Sequence, residues 1–325
     1  MANVWPNTLW TDVTSIIAVS GGSDSVALLR LLADQDVGDR DGQFVVAHFN
    51  HGWRGAESDE DARFVESLSQ QLNIRCEVGS AEGPAAASEA DARNDRYEFL
   101  LNLAHQLGAR FVVTAHTADD QVETVLHRII RGTGISGLRG IPKMRSLSES
   151  VTVVRPLIDV TRNELTDFLN SIDQSFRNDS SNQDCKFTRN RIRQELLPEL
   201  RREYNAEVNS AILRLSRLAG EHQQEIESTV ELIFANHVTS GRNEHFAVPR
   251  KALGSLTSLV QRELFRSIWN SAGWPLQEMG FEQWHQLASL GTDPKSKSIN
   301  LPGNIRAVAD DEFIRLEPGE CNEAS

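Results

Sequence analysis

Apolar residues come first in short unbroken runs and later in spaced ones. Ser15–Val19, Phe44–Phe49, Phe111–Ala115 and Val151–Pro156 are nearly continuous, the texture of strands covered on both faces, and Ile74-Arg-Cys-Glu-Val78 reads as a further, short strand. Between them, Val26–Ala33, then Phe64, Val65, Leu68 and Leu72, then Tyr97, Leu100, Leu101 and Ala104, then Val122, Val125, Leu126, Ile129 and Ile130 recur at helical spacing. Ser58-Asp-Glu-Asp61 and Thr161-Arg-Asn-Glu164 read as capping boxes, the second opening a helix to about Ser171. Strands alternating with helices predict an α/β fold with a doubly wound, Rossmann-like parallel sheet. Beyond Glu207 the pattern is helical, with stripes at Val208, Ala211, Ile212, Leu215 and Leu218 and again at Leu259, Val260, Leu264, Ile268 and Trp269. Ile299–Leu316 reads as a small β-hairpin with Asp310 and Asp311 near its tip. The expectation is a sheet domain over 1–204 and a second, mainly helical domain over 205–325, with the boundary near Tyr204.

The first strand runs into Ser20-Gly-Gly-Ser-Asp-Ser25 and from there into a helix. A strand, a glycine turn and a helix start aim bare backbone N–H groups at one spot on the positive end of the helix dipole, which suits a phosphate. Gly21 and Gly22 let the backbone approach it, and Ser20, Ser23 and Ser25 add hydroxyls. Asp24 would repel phosphates unless a cation lies between, so it reads as a contact to magnesium or to an amine. No Gly-Lys-Ser/Thr follows, which excludes a Walker P-loop. Gly132-Thr-Gly-Ile-Ser-Gly137 matches the dinucleotide fingerprint, but a helix precedes it and no strand does, so it reads as a flexible loop rather than a nicotinamide site.

Composition narrows the classes. With 39% apolar and 24% charged residues the chain has material for a core, and no apolar run reaches membrane-spanning length. The expected protein is soluble, cytoplasmic and without a membrane partner. Cys76, Cys185 and Cys321 form no Cys-x-x-Cys pair, which excludes a zinc ribbon or a thiol-redox motif. A net charge of −13 argues against indiscriminate coating of nucleic acid, so an RNA partner would need a local basic strip.

Such a strip exists. Residues 185–202 carry six cations (Lys186, Arg189, Arg191, Arg193, Arg201, Arg202) against Glu195 and Glu199. A solvated helix face is the plain alternative; three arginines in five residues beside an Asn/Asp/Ser loop favour a phosphate or RNA contact. Polar residues also gather where strands should end: Ser20–Ser25, His48–Arg54 (with His51 between) and His116–Glu123. Ligands of doubly wound sheets bind beyond those ends, so the three groups predict one site. Asp120 and Glu123, three apart, share a helix face, with His127 one turn beyond.

Ser20–Ser25 resembles the PP-loop of ATP pyrophosphatases. Together with His48-Phe-Asn-His51, Thr114-Ala-His116, Asp119-Asp120, Glu123, Arg131-Gly-Thr-Gly134, Arg155-Pro-Leu157, Asp179-Ser-Ser-Asn182 and Arg189-Asn-Arg-Ile-Arg193, it occurs in the order seen in tRNA(Ile)-lysidine synthetases, over about the first two hundred residues. The chain departs from that pattern at Thr117, Trp53, Phe176 and Asn178, and its end reads as that of a short form. The resemblance implies that ATP adenylates the carbonyl oxygen at carbon 2 of the wobble cytidine in a CAU-anticodon isoleucine tRNA, and that the amine of free L-lysine then attacks that carbon and displaces AMP. It implies ATP and Mg2+ as cofactors. It assigns ATP to Ser20–Ser25, His48 and His116; metal to Asp24 and Asp120; catalysis to Asp24, Asp120, Glu123 and Arg193; and substrate or RNA to His51, Arg54, Arg189 and Arg191. A homodimer is left open. The alternatives are another PP-loop tRNA-modifying enzyme, for which a thiolase would need a cysteine set near the site, or a non-catalytic nucleotide- or RNA-binding protein.

Overall fold

A computed structural model describes residues 12–34, 43–52, 55–81, 88–177, 188–241, 245–291 and 297–319. Contacts divide the chain into Met1–Leu218 and Ala219–Ser325.

The first unit is built on six strands: β1 (Ser15–Ala18), β2 (Phe44–Asn50), β3 (Arg75–Ser80), β4 (Phe111–Val113), β5 (Met144–Ser146) and β6 (Thr152–Val154). They lie in the order β3-β2-β1-β4-β6-β5, all parallel except β5, which pairs antiparallel with β6 at the edge. The helices are α1 (Ser23–Ala33), α2 (Ala56–Gln71), α3 (Glu89–Leu107), α4 (Ala118–Ile130), α5 (Ile135–Leu138) and α6 (Arg162–Ser171). The apolar runs are continuous because both sheet faces are covered. Ile17, Val46 and Val113 are in register and pack with Leu28, Leu29, Leu165 and Leu169 of α1 and α6. Ile16, Ala47, Val112 and Val153 face the other way, against Leu100, Leu103 and Ala104 of α3. The chain moves from β1 to β2 on one side and returns to β4 on the other, so β1 and β4 flank the switch point where such sheets bind ligands.

After α6 come α7 (Thr188–Arg191), a π-helical turn at Ile192–Leu196, α8 (Leu197–Glu199) and a second π-helical turn at Leu200–Tyr204. Then α9 (Val208–His237) begins, and the division at Leu218 falls within it.

The second unit holds the rest of α9, then β7 (Thr239–Ser240), β8 (Phe246–Pro249), α10 (Arg250–Gly254), α11 (Ser258–Ser271), α12 (Phe281–Ser289), β9 (Ser298–Leu301), β10 (Ile305–Ala309) and β11 (Phe313–Pro318). The expected hairpin is present as β10 and β11, with Asp310 in its turn, but it belongs to a five-stranded antiparallel sheet ordered β7-β8-β11-β10-β9. Trp269 anchors the core beneath: it meets Trp274 and Trp284 edge-on at 5.0 and 5.6 Å, and its indole N–H donates to the Pro275 carbonyl at 3.0 Å.

Three local expectations change. The helix expected to open at the Ser58 box starts earlier, at Ala56, with Gly55 as an N-cap that offers no side-chain hydrogen bond. Thr117 and Asp120 form a capping box that the pattern did not announce. The loop at 131–143 is tied down: Arg128 donates to the carbonyls of Gly137 and Gly140 at 2.9 Å, and Gln121 exchanges hydrogen bonds with Ile141. No helix among the described residues is long and apolar enough to cross a membrane.

Candidate active site

Residues 20–25 leave β1, turn sharply and enter α1. Gly21 has φ of 95°, a left-handed conformation in which a side chain would be strained. Its carbonyl accepts from the Arg177 N–H at 2.9 Å. Ser25 locks the turn, its hydroxyl accepting from the Ser20 N–H at 3.2 Å and donating to the Gly22 carbonyl at 2.9 Å. Gly22 caps α1 without a side-chain hydrogen bond, so no side chain covers the N–H groups of the first turn. Ser23 donates to Asp24 at 3.3 Å. His48, 4% exposed, supports the turn from behind by donating Nδ1–H to the Val19 carbonyl at 2.9 Å.

Across the switch point, α4 presents Asp120 and Glu123 toward Asp24, and one guanidinium joins all three. Arg162 donates Nε–H to Asp24 at 3.0 Å, Nη1–H to Glu123 at 2.8 Å and Nη2–H to Asp120 at 2.6 Å. Arg189 adds a second fork, Nε–H to Glu123 and Nη2–H to Asp120, both at 3.0 Å. Arg193 stands 3.8 Å from Glu123. Arg191 does not join them; it pairs with Glu195 at the surface. Arg54 lies outside the described residues, as does the Asp179–Asn182 stretch.

Arg162 is the residue that sequence reasoning missed. It is the second member of the Thr161 capping box, which the structure bears out. Its backbone N–H donates to Asp119 at 2.8 Å, so the same α4 acids fix the start of α6. A cation in the first turn of a helix opposes the dipole, and that was the available signal that an acidic partner must exist.

Burial sets the charge states. Burial pushes the Asp24 carboxyl up, and the nearby Arg162 only partly offsets this. Burial would also raise Asp120, but Arg162 and Arg189 outweigh it and hold that carboxyl below its usual range. Burial lowers His116 to about 3 against the pull of Asp120, so its ring is neutral; its Nδ1 lies 3.0 Å from the Thr114 hydroxyl. Burial likewise lowers His48 and His51. No group of three or more His, Cys, Asp or Glu side chains among the described residues is arranged to hold a metal. Asp24 and Asp120 nevertheless converge on one cation, and a pair of carboxylates completed by phosphate and water oxygens is a donor set that suits Mg2+.

Asp120 divides its two oxygens. Oδ1 accepts from the arginines, while Oδ2 accepts from the Thr117 N–H at 2.8 Å and hydroxyl at 3.0 Å. Thr117→Ala should therefore cost about 1 kcal/mol, measured by urea denaturation; unchanged stability would show that the cap contributes nothing.

The comparisons with known proteins agree with this geometry. The PP-loop domain family matches residues 7–200. The tRNA(Ile)-lysidine synthase of Nostoc sp. is 32% identical over 322 residues, which is 94% of this chain and 91% of that protein. The one from Rhodopirellula baltica is 33% identical, with 90% and 83% covered. The one from Geobacter sulfurreducens is 41% identical over 89% of this chain and 62% of its own length. Among solved structures, the U34-tRNA thiolase NcsA from Methanococcus maripaludis superposes with a TM-score of 0.54 over 67% of this chain and 75% of that one, at 15% identity, a likeness of fold alone. A serine- and glycine-lined turn under an uncapped helix, three carboxylates beside it, and near full-length relatives sharing a third of their residues lead to one assignment: the chain belongs to the tRNA(Ile)-lysidine synthase family of PP-loop proteins.

Proposed function

We propose that this chain uses ATP to ligate free lysine to carbon 2 of the wobble cytidine of a CAU-anticodon isoleucine tRNA, forming lysidine. The observation that carries the reading is the convergence of Asp24, Asp120 and Glu123 beside the uncapped start of α1.

The chemistry divides into two steps. The cytidine carbonyl oxygen attacks the α-phosphorus of ATP and pyrophosphate leaves; the α1 N-terminus and the 20–25 turn would hold the phosphates. Mg2+, when bound, offsets triphosphate charge, and Asp24 and Asp120 are the residues that would hold it. Adenylation makes the oxygen a leaving group. The ε-nitrogen of lysine then bonds to carbon 2, the bond from carbon 2 to the adenylated oxygen breaks, and AMP departs. Free lysine is an ammonium with a pKa of about 10.4. A largely buried carboxylate group attracts that cation and then offers its proton a nearby acceptor. Asp120, held low, is suited to clasp the ammonium; Asp24, pushed up, takes a proton more readily. Arg189 and Arg193 hold the carboxylates from the RNA-facing segment and couple docking to chemistry. We assign the nucleotide chemistry to residues 1–204 and further tRNA contacts to 205–325.

The test combines ATP, labelled lysine and an unmodified CAU-anticodon tRNA transcript. The expected result is lysine incorporation with AMP and pyrophosphate as products. Release of ADP and phosphate, or no incorporation, overturns the reading.

A further inference from the structure

A second group of charges lies on the α3 side of the sheet, apart from the carboxylates. Arg93, Arg96 and Tyr97 share one face of α3. The guanidinium carbons of Arg93, Arg96 and Arg145 lie 5.5, 5.9 and 5.2 Å from the centre of the Tyr97 ring. Arg155, the residue after β6, is 2% exposed. Its Nη1–H donates to the Pro142 carbonyl at 2.8 Å, while its Nε has no hydrogen-bond partner among the described residues. The buried Tyr97 hydroxyl lies beside it and interacts with the Arg155 guanidinium. Among the described residues, Arg93, Arg145 and Arg155 have no carboxylate partner.

Arg93, Arg145 and Arg155 around one ring thus form a positive site without a carboxylate partner among the described residues, in a chain whose net charge is −13. The field is visible in the neighbours. Burial alone would raise the Tyr97 phenol, yet Arg93, Arg155 and Arg96 bring it below its usual value. Burial and the nearby Arg145 and Arg93 lower Arg155. Repulsion of this kind is relieved by an anion with several oxygens, and planar guanidinium forks match phosphate. Two features favour a long polyanion over a small ion. Arg93 and Arg145 are exposed and come from different elements, one a helix and one the edge strand β5, so the positive surface runs from buried Arg155 outward. The electrostatic reach of Arg155, Arg93 and Arg96 also extends to His116, which feels Asp120 from its other side.

We infer that Arg93, Arg96, Arg145 and Arg155, gathered around Tyr97, grip the phosphodiester backbone of the RNA strand that carries the target cytidine. This rests on the tRNA-ligation reading and adds to it a surface on the α3 side of the sheet, remote in sequence from the 185–202 strip.

The experiment uses the full chain with Arg93→Ala, Arg145→Ala and the double variant, Arg145→Glu as a reversal at an exposed position, and Arg75→Ala on the opposite edge strand as a control. Transcript binding is measured over a salt series, and the KM for lysine at saturating tRNA. Wild type must first bind and modify the transcript; failure there rejects the ligation reading itself. With that secured, the double variant is expected to bind tRNA at least tenfold more weakly, with a salt slope reduced by about 0.7 for each lost contact to a single strand, and with the control unchanged. Arg145→Glu should weaken binding further than Arg145→Ala. Wild-type affinity and slope in the double variant overturn the inference. So does a raised KM for lysine with tRNA affinity intact, which would make the cluster a seat for the amino-acid carboxylate.

Discussion

Arg162→Met is expected to be the most damaging single substitution in the site. It removes the guanidinium that touches Asp24, Asp120 and Glu123 and leaves three carboxylates facing one another, Glu123 with a side chain only 4% exposed. Breaking a buried pair by deleting one partner costs about 3–5 kcal/mol. Arg189 remains on Asp120 and Glu123, so the lower end, about 3 kcal/mol, is expected at neutral pH. The pH dependence carries the diagnosis. Without Arg162 the Asp24 carboxyl, already raised by burial, is pushed up further, and Asp120 loses the largest of the influences that hold it low. Their charged forms then destabilise the fold relative to wild type as pH rises through these upward-shifted values, and the penalty disappears as acid protonates them. The difference in urea midpoint between wild type and variant should therefore narrow from pH 7.5 to pH 4.5. A difference that is small or independent of pH would mean that Arg162 is a spectator. Pyrophosphate release should fall by more than a hundredfold, because the carboxylates lose their common geometry.

Asp24→Asn should separate chemistry from stability. Arg162 keeps Asp120 and Glu123, and the amide matches the carboxylate in size. Burial raises Asp24 in the folded state, so its charge costs the fold at neutral pH; that cost is absent below the usual carboxylate range and sets in as pH rises through the raised value. Asn carries no such cost, and the variant should match or slightly exceed wild-type stability at pH 7. Adenylation should nevertheless fall by about a hundredfold, roughly 3 kcal/mol in the transition state, because a charge at the phosphate-binding turn is lost. Single-turnover pyrophosphate release measures it. Near-wild-type release would take Asp24 out of the mechanism.

The sequence made most of the sheet legible because its signal is local: the five expected strands are short, largely apolar stretches, and the Ser20–Ser25 turn is contiguous with its strand, whereas the exposed edge strand β5 carries no such signal. Asp120 and Glu123 were readable for the same reason, three residues apart on one helix. Arg162 was not. It meets Asp24, Asp120 and Glu123 across separations of 138, 42 and 39 residues, and nothing in its own neighbourhood beyond an ill-placed charge at a helix start points to them. The arginines around Tyr97 were hidden in the same way, since β5 supplies one of them and is a three-residue edge strand too short to show a period. The second unit hid its sheet because β7 has only two residues and β8 four. Dense arginine did mark Arg189 and Arg193 as partners of the site, though the strip meets carboxylates as well as solvent, and Arg191 in its middle remains at the surface.

The division of labour within Asp120 has a mechanical consequence. One oxygen serves the arginines and the other holds the Thr117 N–H, so anything that draws or protonates the carboxylate also tugs on the first turn of α4. The amide of residue 117 is in effect wired to the reacting cluster. Its rate of exchange with solvent deuterium should quicken when the carboxylate is occupied elsewhere and slow when the cluster is at rest, which turns one backbone proton into a clock for the state of the catalytic cycle.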